Sequence, residues 1–337
     1  MRRELPAVAP VNPPGGPDES VAAARFGVRT VGVEEVVMVA EQSVVVGVDG
    51  SAPSLHAVDW AAVDAVRRRR PLHILYAIAW PPAYPPAAAP VPSPYEVRER
   101  EKAAQTVATA ATRARAAAPD VRISTSMQAD PPTVALLRAS GHACEVVVGN
   151  RGHGGFAGLL LGSVGVQVAA HAPCPVVVVR DADRPAGSEA GRVVVGIDGS
   201  HDAGDALGYA FEHASASASG LTAVLAYRWP GSVTRPDDLL PLTYDADDLA
   251  AEEERTLAES VAGWREKFPD VDLRTSAVRG RAAGVLVERS AGARLLVVGS
   301  RGRGGFAGLL LGSVSQVAIH HAACPVAVIR HAARESS

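Results

Sequence analysis

The sequence predicts an α/β fold made of two tandem doubly wound domains, each with a five-stranded parallel sheet and helices on both faces. Two observations carry this prediction. Segments of the first half return in the second half in the same order, and within each half short Val-rich runs alternate with longer Ala-rich amphipathic stretches. Apolar strands that alternate with helices are typical of a parallel sheet that is covered on both faces.

Three pairs of matching segments indicate a duplication. They are "VVVGVDGS" at 44–51 with "VVVGIDGS" at 193–200, "GNRGHGGFAGLLLGSV" at 149–164 with "GSRGRGGFAGLLLGSV" at 299–314, and "CPVVVVR" at 174–180 with "CPVAVIR" at 324–330. The separation within each pair is about 150 residues, which is the size of a whole domain and far longer than the repeat of a solenoid.

The first repeat shows how the elements are expected to follow one another. The expected elements are strands at 43–49, 72–79, 121–128, 144–149 and 175–180, and helices at 54–70, 95–117, 131–140 and from Ser163 onward. The helical spacing of apolar residues in the first helix gives it an inner face. That face comprises Leu55, Val58, Ala62, Ala65 and Val66. We expect the four arginines at 67–70 to form a solvated helix end, where their positive charges interact favourably with the negative pole of the helix dipole.

The domain boundaries follow from these repeats and from changes in composition. We expect a disordered arm or a mispredicted start at 1–42, a first domain at 43–180, a linker at 181–191, a second domain at 192–331 and a tail at 332–337. Two Pro-rich segments, at 80–95 and 229–244, follow the second strand of each repeat. Each is either an ordinary surface loop or a lid over a ligand, because ligands of such folds lie at the carboxyl ends of strands.

Composition limits the class of protein. Hydrophobic residues make up 47% and charged residues 20% of the chain, as in globular proteins. The 33 basic and 36 acidic residues leave a formal net charge of −3, so no basic field favours nucleic acid as a partner. We see no apolar run of the roughly 20 residues that a membrane helix needs, and the three cysteines do not suggest a disulfide framework. We therefore expect a cytoplasmic protein without a membrane partner.

The duplicated glycine-rich segment has the chemistry of an anion-binding loop. Gly149 and Gly152 let the backbone turn and approach a ligand closely, and successive N–H groups can point into one concavity. Ser163 is expected to cap the helix that follows, whose positive end attracts phosphate. Asp49 ends the first strand, where its carboxylate can accept from a ribose hydroxyl or hold Mg²⁺. The alternative for Asp49 is an Asx turn or helix cap within "DGS".

The loop spacing is Gly, two residues, Gly, nine residues, Gly-Ser, and it occurs in both repeats. Together with "VDGS" and "IDGS", this spacing resembles the ATP-binding branch of the universal stress protein family. The resemblance covers residues 43–180 and 192–331 and implies Rossmann-like domains that bind ATP where the strand order reverses.

Carried over by motif, the resemblance implies one ATP site in each repeat, with the terminal Asp of the first strand on the nucleoside and the glycine loop with its Ser on the phosphates. Ala77 and Ala226 are the implied backbone contacts to adenine. An arginine in each loop can pair with phosphate oxygens, or be an ordinary exposed side chain. The first site comprises Gly47, Asp49, Ala77, Gly149, Arg151, Gly152, Gly162, Ser163 and Val164. The second comprises Gly196, Asp198, Ala226, Gly299, Arg301, Gly302, Gly312, Ser313 and Val314.

The two sites are not identical, because His153 in the first loop stands where the second has Arg303. A neutral imidazole offers less to phosphate than a guanidinium, so we expect the second site to bind ATP more tightly. Asp49 and Asp198 are the candidate Mg²⁺ ligands. The closing strands are apolar edges, which invite pairing. We expect the two repeats to pack on each other with pseudo-twofold symmetry, and a homodimer of whole chains is a further option.

The sequence shows no catalytic constellation: there is no nucleophile elbow, no phosphate-gripping lysine and no evident base near the loop. We therefore expect a nucleotide-dependent regulator or sensor in a stress or dormancy response, acting on an unknown protein partner. Two alternatives stay open. One is a weak ATPase or an autophosphorylating enzyme with Ser163 or Ser313 as acceptor, and the other is a scaffold that does not bind nucleotide.

Overall fold

A computed structural model describes residues 39–79, 94–152, 162–180, 187–199, 203–228, 246–302 and 311–330. Several expectations concern residues outside these ranges. They are the arm as far as residue 38, residues 80–93 and 229–244 of the Pro-rich segments, residues 181–186 of the linker, and the tail.

The same order of elements occurs twice. The first repeat contains β1 (Ser43–Val48), α1 (Ala52–Arg67), β2 (Leu72–Ala77), α2 (Pro94–Ala117), β3 (Ile123–Gln128), α3 (Pro132–Ser140), β4 (Ala143–Gly149), α4 (Ser163–His171) and β5 (Val176–Val179). The second contains β6 (Val193–Ile197), α5 (Ala203–Ala216), β7 (Leu221–Tyr227), α6 (Ala246–Lys267), β8 (Leu273–Arg279), α7 (Ala282–Arg289), β9 (Leu295–Gly299), α8 (Ser313–His321) and β10 (Val326–Ile329). The α/β class with two tandem doubly wound units is confirmed.

The ten strands of the described residues belong to one sheet, in the order β3-β2-β1-β4-β5-β10-β9-β6-β7-β8. Strands within each repeat are parallel, whereas β5 and β10 pair antiparallel, with Val177 opposite Ala327. The two closing strands therefore join the repeats, and the antiparallel pairing gives the junction its pseudo-twofold symmetry.

Successive strand residues point to opposite faces of the sheet, and both faces are covered. Val44 and Val46 pack with α1, α2, α5 and α6 in one apolar cluster, while Val45 packs with α3, α4, α7 and α8 in the other. Among the described residues, no helix is both long and apolar enough to cross a membrane.

Helix α1 differs from its sequence prediction at its C-terminal half. It ends at Arg67, and Val66, expected on the inner face, is 36% exposed. Asp64 is 2% exposed instead. The reason is that α1 meets α5 of the second repeat as well as the sheet, so its buried surface is wider than one apolar stripe. That second contact surface cannot be found from the periodicity of a single helix.

A cluster of buried polar side chains joins the repeats at this contact, and we call it the junction cluster: Asp64, Arg68, Glu145, Tyr209 and His213. Arg68 Nη1 donates to Glu145 Oε2 at 2.5 Å, and Tyr209 Oη donates to the same oxygen at 2.8 Å. His213 Nε2 lies 2.9 Å from Asp64 Oδ1. The expectation of a fully solvated arginine run is therefore wrong for Arg68, whose side chain is only 15% exposed.

The last residues of the predicted linker pack against the second repeat. Glu189 is 3% exposed and accepts hydrogen bonds from Thr222 Oγ1 at 2.7 Å and from Arg289 Nη1 at 2.8 Å. Gly187 approaches Ala291 so closely that a Cβ there would lie 2.2 Å from the Ala291 carbonyl oxygen. Residues 187–191 are thus anchored to the second repeat by a buried carboxylate and a close backbone contact.

Candidate functional site

The predicted site residues gather where the strand order of each repeat reverses. In the first repeat, β1 and β4 are neighbours while the chain between them runs through β2 and β3 on the other side of β1. Asp49 directly follows β1, Ala77 ends β2 and Gly149 ends β4. Ligands of open α/β sheets bind in the crevice at this point. In the second repeat, Asp198 follows β6 and Gly299 ends β9 in the same way.

Asp49 uses its two carboxylate oxygens differently. Oδ1 accepts from the backbone N–H of Ser51 at 2.9 Å and from Ser51 Oγ at 2.6 Å, which is an Asx turn leading into α1, whose N-cap is Ser51. Oδ2 faces the glycine loop, because a Cβ on Gly152 would lie 2.5 Å from it. The Asx turn that the sequence left as an alternative thus exists, and it occupies one oxygen.

The second repeat brings the equivalent residues together. A Cβ on Gly302 would lie 2.8 Å from Asp198 Oδ2. Both repeats therefore set a carboxylate at the end of the first strand against a glycine that leaves no room for a side chain. The agreement between the repeats shows that this contact belongs to the architecture of the loop.

The far end of each loop folds back onto its beginning. The N–H of Gly162 donates to the Asn150 carbonyl at 2.8 Å, and the N–H of Gly312 donates to the Ser300 carbonyl at 2.7 Å. A Cβ on Gly162 would lie 3.9 Å from the backbone nitrogen of Gly152. Gly152 and Gly162, which have nine residues between them in sequence, therefore lie side by side, and the amino end of α4 lies next to both.

The residue that caps each of these helices at its amino end is glycine, not serine. Gly162 is the N-cap of α4, with φ −75° and ψ 146°, and Gly312 has the same role in α8; neither helix has a side-chain cap hydrogen bond. Ser163 and Ser313 are the first helical residues and are exposed. The expectation that Ser163 caps the helix is wrong. The hydroxyls of both serines are instead at the open amino end of a helix, beside N–H groups without a partner in their own helix.

Three of the predicted glycines pack against neighbouring elements. A Cβ on Gly149 would lie 2.7 Å from the Pro53 carbonyl, so this glycine lets the amino end of α1 approach β4. Added Cβ atoms on Gly47 and Gly196 would meet the side chains of Leu136 and Leu286, at 3.1 and 2.5 Å. These three glycines therefore allow neighbouring elements to pack closely beneath the crevice.

The remaining predicted residues surround the crevice. Arg151 and Arg301 are exposed, while Ala77 and Ala226 are half-buried near the ends of their strands. Val164 and Val314 pack with one face into the apolar cluster under α4 and α8. His153 and Arg303, the difference on which the predicted asymmetry rests, lie outside the described residues.

Two charges of opposite sign meet at the first crevice. Burial, followed by the charges of Glu99 and Asp49, raises the pKa of Tyr76. Asp49 also faces Gly152 beside the amino end of α4, which carries the positive pole of a helix. The crevice therefore combines a strand-end carboxylate with a helix amino end that attracts an anion.

Sequence reasoning missed two residues of the loops. Asn150 is 4% exposed, and its side-chain oxygen has no hydrogen-bond partner among the described residues. Ser315 donates to the carbonyls of Ser300 at 3.1 Å and Gly312 at 2.9 Å. The equivalent residue of the first repeat, Gly165, has no side chain to make these hydrogen bonds. The available signal was that Asn150 and Ser315 are not matched by the same residue type in the other repeat.

The metal expectation has limited support from the side chains. Within the described ranges, no group of three or more His, Cys, Asp or Glu side chains suits a metal ion. Asp49 and Asp198 each offer one carboxylate to a cation. Any Mg²⁺ would need most of its oxygen ligands from a phosphate and from water.

The universal stress protein family profile matches residues 41–180 and 189–330, which together are most of the chain. The chain belongs to the universal stress protein family. A universal stress protein of Mycobacterium tuberculosis is 38% identical over 300 residues, covering 86% of this chain and 97% of its own length. One of Mycolicibacterium smegmatis is 35% identical over 296 residues, covering 86% and 97%.

A solved structure shows the same fold. The crystal structure of a universal stress protein from Archaeoglobus fulgidus superposes with a TM-score of 0.62, is 21% identical, and covers 86% of this chain and 98% of its own. The fold of the whole chain is therefore found in a solved structure, and the family that the glycine spacing indicates is confirmed.

Proposed function

We propose that the chain binds ATP at two sites, one in each repeat, and acts as a nucleotide-dependent regulator or sensor in a stress or dormancy response. The observation that carries the proposal is the contact between a strand-end carboxylate and a loop glycine, Asp49 with Gly152 and Asp198 with Gly302. A Cβ would fill this space in both repeats. The contact lies where strand order reverses, beside an open helix amino end, which together suit a nucleoside phosphate.

The residues divide between the two ends of the nucleotide. Asp49 Oδ2 accepts a hydrogen bond from a ribose hydroxyl, and the backbone of Ala77 contacts adenine. The N–H groups at Gly152 and at the amino end of α4, with the Ser163 hydroxyl, hold the phosphates, and exposed Arg151 can add a charge-assisted hydrogen bond. Asp198, Ala226, Gly302, Ser313 and Arg301 have the same tasks in the second site. In the alternative role of the same carboxylate, Asp49 or Asp198 would give one oxygen ligand to a Mg²⁺ ion bound with ATP, and phosphate and water oxygens would give the others.

A slow ATPase or autophosphorylating activity is the second candidate function, and the position of two serines favours it. Ser163 and Ser313 are exposed first residues of their helices and make no capping hydrogen bond. Each hydroxyl is thus placed to accept a phosphoryl group from a nucleotide bound at the same helix end. The cytoplasmic location, the unknown protein partner and the homodimer stay predictions.

Two measurements test nucleotide binding directly. The purified protein is denatured and the released nucleotide identified by chromatography, and the nucleotide-free protein is titrated with ATP and Mg²⁺ by calorimetry. We expect two ATP per chain, one in Asp49→Ala and one in Asp198→Ala. Asp59→Ala, which removes a partly exposed carboxylate on α1, is the matched control and should keep two. If the wild type does not bind ATP, the proposal is refuted, and the alternative of a scaffold that does not bind nucleotide remains.

The same variants test the predicted asymmetry. Asp49→Ala leaves only the second site able to bind, and Asp198→Ala leaves only the first. The second site has Arg303 in its loop and the hydrogen bonds of Ser315. We expect the second site to bind ATP more tightly. Equal affinities, or a tighter first site, would contradict this. A multiple-turnover phosphate-release assay and mass spectrometry of Ser163 and Ser313 after incubation with ATP test the enzymatic alternative.

A further inference from the structure

Each repeat sends an arginine across the junction to the other repeat. Arg180 follows β5, and its Nη1 donates to the carbonyls of Ile319 at 2.7 Å and His320 at 2.8 Å, in the last turn of α8. Arg330 follows β10, and its Nη1 donates to the carbonyls of Ala170 at 3.3 Å and His171 at 3.1 Å, in the last turn of α4. We call these two side chains the crossed arginines.

The carbonyls that the crossed arginines bind are the ones a helix leaves without a partner. The last four carbonyls of an α-helix have no hydrogen-bond donor within it, and the negative pole of the helix lies there. A guanidinium suits such a helix end in two ways: its N–H groups donate to the unpaired carbonyls, and its positive charge interacts favourably with the negative pole. Each crossed arginine therefore stabilises the carboxyl end of a helix that belongs to the opposite repeat.

These helices are the ones whose amino ends lie at the candidate nucleotide sites. Helix α4 has nine residues, so it is about 14 Å long, with Gly162 and the loop at one end and the Arg330 contact at the other. Helix α8 has the same length and the same arrangement with Arg180. So short a helix is only marginally stable by itself, and fixing one end helps to order its other end.

We propose that Arg330 is a positioning residue for the nucleotide site of the first repeat, and that Arg180 is a positioning residue for the site of the second. This rests on the proposed ATP binding and adds that each site depends on the opposite repeat. By linkage, a nucleotide that orders the amino end of α4 also favours the contact of Arg330 with its carboxyl end. Occupancy of each site thereby strengthens the junction between the repeats.

The test uses full-length chains in which only one site can bind. Arg330→Ala and Arg180→Ala are each combined with Asp198→Ala, which leaves the first site, and with Asp49→Ala, which leaves the second. Titration with ATP and Mg²⁺ should show that Arg330→Ala weakens the first site about three- to tenfold and changes the second less than about twofold, within the range expected for coupling residues. Arg180→Ala should give the mirror image. Arg330→Lys, which keeps a cationic donor, should recover part of the loss.

Amide hydrogen exchange of the nucleotide-free chain measures the contact itself. Arg330→Ala should speed exchange in α4 and leave α8 unchanged, and Arg180→Ala should do the reverse. Equal loss of ATP affinity at both sites, or no loss at either, would overturn the positioning role while ATP binding stands. Failure of the wild type to bind ATP would overturn the proposed function and this role with it, whatever the exchange pattern shows.

Discussion

Removing the Asp64 carboxylate should destabilise the protein strongly, although Asp64 lies far from the proposed nucleotide sites. Its side chain is 3% exposed, and it lies 2.9 Å from His213 Nε2 and 3.8 Å from Arg68 Nη1. Burial alone would raise the pKa of Asp64, but the hydrogen bond and charge of His213, with the charge of Arg68, outweigh it and hold that pKa below its usual value. The native structure therefore favours the ionised carboxylate.

The expected cost follows from what Asp64→Ala leaves behind. Arg68 and His213 would remain buried with one partner fewer, and breaking a buried ion pair from one side costs about 3–5 kcal/mol. Since the unfolding entropy is roughly 2 cal/mol/K per residue, each kcal/mol lowers the melting temperature of a chain of this length by roughly 1.5–2 °C, and we expect a fall of about 5–10 °C. Thermal unfolding followed by circular dichroism, and urea titration, measure it.

Asp59→Ala is the matched control, because Asp59 lies on the same helix and pairs with Arg113 at 2.6 Å. Both of those side chains are more than a third exposed, so solvent screens the pair and its loss should cost less than about 1 kcal/mol. His213→Ala combined with Asp64→Ala should cost clearly less than the sum of the two. If Asp64→Ala destabilises no more than Asp59→Ala, the reasoning about the junction cluster is refuted.

Three further predictions concern single positions. His73 is fully buried, and burial lowers its pKa to about 4, so the unfolded state binds more protons between about pH 4 and 6.5. Stability should therefore rise with pH in this window by about 3 kcal/mol, and urea titrations of His73→Gln should show a flatter dependence; parallel curves would contradict this. Burial raises the pKa of Cys174 to about 12, and Cys324 is 1% exposed, so a thiol reagent at pH 8 should modify neither until the protein unfolds. Rapid labelling of native protein would be the opposite result. Gly152→Ala should abolish ATP binding at the first site because its Cβ would lie 2.5 Å from Asp49 Oδ2. Gly141→Ala, whose nearest contact would be 3.5 Å, should leave calorimetric ATP binding unchanged, and equal behaviour of the two variants would count against the site.

The sequence was sufficient for most of the fold because the information there is local. Val-rich runs and Ala-rich amphipathic stretches located strands and helices closely; α1, for example, was expected at 54–70 and lies at Ala52–Arg67. The duplication then located the second repeat without separate reasoning. The sequence also placed Asp49 and the glycine loop after β1 and β4, which are neighbours where the strand order reverses.

The junction could not be predicted in the same way, because its contacts join residues far apart in the chain. Arg68 looks like part of a solvated basic run until Glu145 and Tyr209 are placed beside it. Burial and the nearby Asp64 raise the pKa of Glu145 to about 8, and no local pattern indicates such an environment for a glutamate in a strand. The prediction of the N-cap of α4 was wrong for a different reason. Glycine and serine are both favoured at N-caps, so the sequence Gly162-Ser163 leaves the choice to the backbone conformation.

The antiparallel join between β5 and β10 has a consequence for assembly. Each of these strands already has a neighbour on both sides, β4 and β10 for one, β9 and β5 for the other. A second copy of the chain therefore has no free edge to extend at the middle of the sheet. In the part of the chain that the structure describes, the sheet ends at β3 and β8. Their sequences, "ISTSMQ" and "LRTSAVR", carry far more polar side chains than the closing strands. The duplication thus places the pairing of two closing strands inside one chain, and a homodimer must be built on surfaces other than these strands.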